Sequence, residues 1–341
     1  MKRWVIYIVL YVMCVGGVNA RAWEADILGD DYKMTQVDMP DDYSGKVVST
    51  VVRRLCDCSA DKAVLYVHGY NDYFFQNEMG RRFNAHGYNF YAVDLRKYGR
   101  SILPHQLKFE VRNLKEYFAD IDSALSVISE DGNREVVLMG HSTGGLVSSY
   151  YMVNGGDCKK NIKALVLNSP FMDMNLSNAL ENYALPVIAG VANLFPNISI
   201  PQGSNDAYAQ SLLKQYHGEW DYNTEWKMIL SPDVTSGWLR AISKAQNELQ
   251  RGQDIAVPIL LMRSDKSING NVWSPEFNRG DAVLDVDEIS MYGRRLGKDV
   301  QEVVVKDGLH DLLLSRKPVR DATYCYIFKG NDAKSGAWTK I

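Results

Sequence analysis

The chain has 341 residues, 46% of them hydrophobic and 23% charged, enough for a sizeable core and without the biased composition of a disordered chain. A net charge of -3 with no concentrated basic face argues against a nucleic acid as partner. The 20 tyrosines and 7 tryptophans read as core filling rather than as a dedicated binding surface.

At the N-terminus Lys2 and Arg3 precede an apolar run from Trp4 to Val18, and Val18-Asn19-Ala20 places small residues where a signal peptidase reads. The run falls short of the roughly 20 apolar residues that a bilayer span requires. Residues 1–20 therefore read as a cleaved export signal rather than a retained anchor, and the mature chain as periplasmic or secreted. Export leaves Cys56, Cys58, Cys158 and Cys325 in an oxidising compartment, an even number that allows one disulfide or two, with the pairing open. Cys56-Asp57-Cys58 lacks the spacer and the histidines of a zinc knuckle, so no metal is expected there.

Residues 21–45 are polar and mixed and read as an N-terminal extension, followed by an edge strand at Val47–Val52. The core pattern begins with the apolar run Ala63–Val67 ending in His68-Gly69, the signature of a buried parallel strand entering a loop. A helix over Phe75–His86 stops at Gly87; a strand follows at Asn89–Val93 and a helix at Phe109–Ile128. Next come a strand at Glu135–Met139, a helix at Gly145–Val153 and a strand at Ile162–Leu167. This alternation predicts an α/β fold, a mostly parallel central sheet with helices on both faces.

From Phe171 to Gln250 the alternation fails, apart from a helix near Leu239–Leu249, and this stretch reads as an inserted cap. The pattern returns with a strand at Pro258–Met262, a loop through Arg279, a helix at Val286–Leu296 and a strand at Val300–Val305. The core is thus expected over 46–170 and 251–341, with the cap over 171–250.

Between a β-branched strand and a helix stands Gly140-His141-Ser142-Thr143-Gly144-Gly145. A serine on a sharp strand-to-helix turn sits in a strained backbone, the flanking glycines remove clashing side chains, and the hydroxyl projects beside a helix N-terminus. Ser142 is thereby the candidate nucleophile. It needs a base oriented by a carboxylate. Of six histidines, His310 follows the last strand, in the order serine, acid, histidine; His141 is expected to point away from the turn. For the acid, Asp281 leads into the next helix and is preferred, with Asp285 and Asp265 as alternatives; Asp311 reads as a cap for the following helix. The backbone N–H groups of Thr143 and Tyr70 are the expected oxyanion donors.

These pieces resemble the monoacylglycerol lipase and lysophospholipase-like branch of the α/β-hydrolases, also labelled serine aminopeptidase-like. The resemblance rests on His68-Gly69, Asp94 through Gly99-Arg100-Ser101, the Gly140–Gly145 elbow, Asn168-Ser169-Pro170, the Asp281 segment and Gly308-Leu309-His310, and covers about residues 46–318. It implies the α/β-hydrolase fold and ester hydrolysis through Ser142, Asp281 and His310, with Tyr70 and Thr143 as oxyanion donors and no cofactor. The expected substrate is a small-molecule ester or lipid: a lysophospholipid, an acylglycerol or a short- to medium-chain acyl ester, with peripheral membrane contact possible. The aromatic, fairly polar cap shows no long apolar groove, which points away from a long acyl chain. A peptidase or amidase on the same residues, and a ligand-binding homologue without turnover, are the rival readings.

Overall fold

Each central strand is a run of apolar residues buried on both faces, which is the pattern of a sheet covered by helices above and below. In this computed structural model, which describes residues 21–174, 190–202 and 205–329, the strands are β1 (Glu24–Asp26), β2 (Gly29–Asp42), β3 (Gly45–Arg54), β4 (Lys62–Val67), β5 (Asn89–Asp94), β6 (Glu135–His141), β7 (Ile162–Asn168), β8 (Ser199–Ile200), β9 (Val234–Thr235), β10 (Ile259–Ser264) and β11 (Val300–Val305). Nine of them form one sheet in the order β1-β2-β3-β5-β4-β6-β7-β10-β11, antiparallel from β1 to β5 and parallel thereafter, while β8 and β9 pair separately. The expected export signal, residues 175–189 and 203–204 of the expected cap and residues 330–341 of the expected core lie outside the described residues.

Helices flank both faces: α1 (Asn77–Ala85), α2 (Glu116–Glu130), α3 (Thr143–Asn154), α4 (Ala207–Leu212), α5 (Ser236–Leu249), α6 (Val286–Gly293) and α7 (Lys317–Lys329). Strand alternation divides the core accordingly. On β4, Ala63, Leu65 and Val67 join a cluster with Ile121 of α2, Leu146 of α3 and Ile242 of α5. Val64 and Tyr66 join the opposite cluster with Met79 and Phe83 of α1 and Tyr324 of α7. No helix among the described residues is long and apolar enough to cross a membrane.

The structure departs from the sequence expectations in four places. Val47–Val52 is not an edge: β3 lies between β2 and β5, and the polar segment 21–45 supplies the two outer strands. On β2 Tyr32 is buried on one face and Thr35 and Met39 on the other, among exposed polar residues such as Asp31, Lys33, Gln36 and Asp38, so no regular apolar alternation marks the strand. The helix expected from Phe109 starts at Glu116 instead. Phe109 takes φ 63°, which no helix accommodates, and the Glu116 carboxylate accepts from the Asn113 N–H at 2.9 Å, as in a capping box. Third, α5 packs with α3 in the main core, so the region that breaks the alternation ends before Ser236 rather than at Gln250. Fourth, the helix expected to reach Leu296 ends at Gly293. One disulfide joins Cys56 to Cys58; Cys158 and Cys325 are free.

The outer strands are tied to the centre by a buried ion network. Arg100 donates to Asp26 of β1 through Nε at 2.6 Å and Nη2 at 2.9 Å, and to Asp94 at the end of β5 at 2.8 Å. All three side chains are at most 3% exposed. Removing one partner of such a network strands a buried charge. Arg100→Met, which leaves the buried Asp26 and Asp94 carboxylates without their shared cation, should lower unfolding free energy by about 3–5 kcal/mol in a urea titration, with the slope against denaturant unchanged.

Candidate functional site

β6 ends at His141 and α3 begins at Thr143, so the chain must turn within a single residue. Ser142 does so at φ 52°, ψ -119°, a region that a Cβ disfavours. The turn closes only because its neighbours lack side chains. A Cβ on Gly140 would lie 2.4 Å from the Gly144 carbonyl oxygen, and one on Gly144 would lie 2.3 Å from the carbonyl oxygens of Val67 and His68. The Ser142 N–H donates to Asn168 at 3.0 Å, and its carbonyl accepts from Gly145, Leu146 and Phe171 at 2.9, 3.1 and 2.9 Å. The strained conformation is therefore held from several sides.

His310, in the loop after β11, brings Nε2 to 2.9 Å from the Ser142 Oγ and Nδ1 to 2.8 Å from the Asp281 Oδ2. An Nδ1–H that donates to the carboxylate leaves Nε2 as acceptor for the serine hydroxyl; the tautomer follows from the hydrogen bonds. Asp281 is wholly buried, and its Oδ1 accepts from the Val283 and Leu284 N–H groups at 2.8 Å each. Residues 264–280 leave the end of β10 and return as a closed loop, tied where the Asp281 N–H donates to Lys266 at 2.9 Å and the Ile268 N–H to Asp281 at 2.7 Å. That loop carries Asp281 back to the strand ends. The other two candidate acids lie apart: Asp265 accepts from the Asp307 N–H at 2.8 Å, and Asp285 caps α6 through the Asp287 N–H at 2.8 Å.

Tyr70 and Thr143 line the same cavity as Ser142 and His310. Thr143 opens α3, where the first N–H groups have no partner within the helix. The Tyr70 ring packs 4.9 Å from Trp238 and 5.3 Å from Phe109.

His141 does not turn away from the site. Its ring lies 4.9 Å from that of His310, and its Nδ1 lies 3.7 Å from the Asp72 Oδ2 and 3.8 Å from the Asp311 Oδ2. Burial alone would push Asp72 up, but the Lys227 ammonium at 2.9 Å and the neighbouring His141 outweigh it and hold the carboxyl well below its ordinary range. The ligand atoms of Asp72, His141 and Asp311 lie within 4.8 Å of one another, the donor types of a cation site, and Lys227 already places a cation on Asp72. Asp311 caps the short turn Leu312–Leu314 rather than the helix beyond it, and accepts from Asn168 at 2.7 Å. Below the loop, His68 is lowered by burial, and its Nε2 accepts the Leu95 N–H at 3.1 Å. Sequence reading passed over Asp72 and Lys227; 155 positions separate them, so no local pattern links them.

The site opens into a cavity of about 260 Å³. Phe171, Met174, Leu212, Met228, Val234, Trp238 and Leu284 give it apolar walls, and Asn71, Gln202 and Asn205 add neutral polar groups. Among the described residues that line it, Lys227 is the one Lys or Arg and there is no carboxylate.

The family model described as serine aminopeptidase, S33 (Hydrolase_4) matches residues 59–314, and the chain belongs to this family of α/β-hydrolases. It is 26% identical over 208 residues to a monoacylglycerol lipase of Mycolicibacterium smegmatis, across 60% of this chain and 69% of that one. In fold it is similar to a soluble variant of monoglyceride lipase from Saccharomyces cerevisiae, with a TM-score of 0.57 and 15% identity, covering 85% of this chain and 92% of that chain. A thermostable carboxyl esterase from Bacillus coagulans gives a TM-score of 0.59 at 13% identity, over 85% of this chain and 95% of its own.

The tight elbow makes a direct prediction. Gly140→Ala sets a methyl group against backbone that cannot move aside, so it should lower stability by about 3 kcal/mol, the upper range for overpacking. A thermal melt against wild type checks this; an unchanged midpoint would mean that the elbow is looser than its geometry.

Proposed function

We propose that this chain is an exported serine hydrolase that cleaves carboxylic esters of short to medium acyl chains. The observation that carries the reading is the hydrogen-bonded chain from Ser142 through His310 to Asp281, with Ser142 and His310 lining a cavity of mixed apolar and polar walls. His310 would take the Ser142 proton as Oγ attacks the ester carbonyl, while Asp281 holds the ring and stabilises the imidazolium. The developing oxyanion would be met by the N–H groups of Thr143 and Tyr70, preorganised donors of the kind whose loss typically costs about 10²–10³ in rate. His310 then protonates the departing alkoxide, and a water molecule deprotonated by the same histidine releases the acid from the acyl-enzyme.

The cavity supports the choice of substrate. Its walls mix apolar side chains with polar groups such as Asn71, Gln202 and Asn205, which suits a short or medium acyl chain better than a long one. The M. smegmatis relative, a monoacylglycerol lipase, makes a glycerol ester a natural member of the panel. An aminopeptidase must instead hold a substrate ammonium, and the described cavity walls offer a lysine and no carboxylate. The basic and apolar segment at residues 1–20 supports export.

Hydrolysis of a p-nitrophenyl ester series from acetate to palmitate should peak among the short and medium chains and fall off toward palmitate. Ser142→Ala should lose essentially all turnover, and Asp281→Asn about 10⁴-fold in kcat. Turnover of aminoacyl anilides with none of esters would shift the reading to a peptidase; retained turnover in Ser142→Ala would sink it.

A further inference from the structure

The loop after β4 runs against the nucleophile: a Cβ on Gly69 would lie 3.1 Å from the Ser142 Cβ. Two residues on, Asn71 takes φ 48°, a left-handed conformation that asparagine tolerates better than most side chains. Its amide does not face solvent. Asn71 Nδ2 donates to the Met228 carbonyl at 2.8 Å, and the Met228 N–H donates to the Asn71 Oδ1 at 2.8 Å. A side chain thus stands in for a strand partner, satisfying both backbone groups of one residue far along the chain. The neighbours strengthen the join. Lys227 Nζ meets the Asp72 Oδ1 at 2.9 Å, and the Asn223 N–H donates to the Tyr73 hydroxyl at 2.8 Å.

We propose that Asn71 is a positioning residue, whose amide, bridged to both backbone groups of Met228, locks the loop presenting the Tyr70 N–H to Ser142, so that the segment around Met228 completes the oxyanion site. The proposal rests on the ester-hydrolase reading above. Two separate demands select asparagine here: a left-handed backbone and a side chain that both donates and accepts. Glycine meets the first alone, aspartate keeps the acceptor but turns a second oxygen toward the Met228 carbonyl, and alanine meets neither.

The test compares wild type, Asn71→Gly and Asn71→Asp on p-nitrophenyl butyrate, with inhibition by butylboronic acid, whose serine adduct carries the tetrahedral geometry of the intermediate. A misplaced donor acts on the transition state and not on ground-state binding. Asn71→Gly should lower kcat by about 10–100-fold with KM within about threefold, and weaken boronate inhibition by the factor lost in kcat/KM. Asn71→Asp, which preserves volume, should show the same coupled loss and serves should the glycine variant fail to fold. Wild-type kcat in either folded variant, or a loss of kcat with boronate affinity unchanged, would overturn the proposal. Absence of Ser142-dependent turnover in the wild type would instead defeat the ester reading beneath it.

Discussion

A serine forced into a left-handed turn between β6 and α3 is the constraint on which the surrounding structure depends. Ser142 at φ 52° is unfavourable alone, and backbone of this kind persists only where the surroundings over-determine it. Here β4 and β7 supply those surroundings: Val67 and His68 press on Gly144, and Asn168 accepts the Ser142 N–H. The parallel sheet thus does more than fill a core. By ending β4, β6, β7, β10 and β11 at one edge, it gathers the Tyr70 loop, Ser142, Asn168, the Asp281 loop and the His310 loop into one place.

Electrostatics at that edge follow from burial. Asp281 and Asp72 are both fully buried carboxylates, yet they are treated differently. Asp281 spends its oxygens on two backbone N–H groups and on His310, whereas Asp72 takes the ammonium of Lys227, which keeps a second negative charge from standing uncompensated near the site. Lys227 comes from the region that breaks the alternation, so the loop beside Ser142 and the segment around Met228 share an ion pair and an amide bridge.

The fold was largely legible because its central strands are uninterrupted apolar runs and its helices have clear period; Val300–Val305 matches the expectation residue for residue. The pairing of Ser142 with His310 was legible because glycine spacing marks the turn locally and chain order puts His310 after the last strand. What escaped was non-local. β1 and β2 bury only scattered side chains and so read as polar, and only their pairing with β3 gives them a place. Asp281 could be preferred over Asp265 and Asp285 but not isolated, because the closure of loop 264–280 is set by contacts across it. The Asp72–Lys227 and Asn71–Met228 contacts have no sequence signature at all.

The most direct test of the central claim is covalent labelling of the full chain with a fluorophosphonate, read by intact mass and peptide mapping. The account requires one adduct, on Ser142, that His310→Ala suppresses. Failure of the folded wild type to react, or an adduct on any other residue, would contradict it.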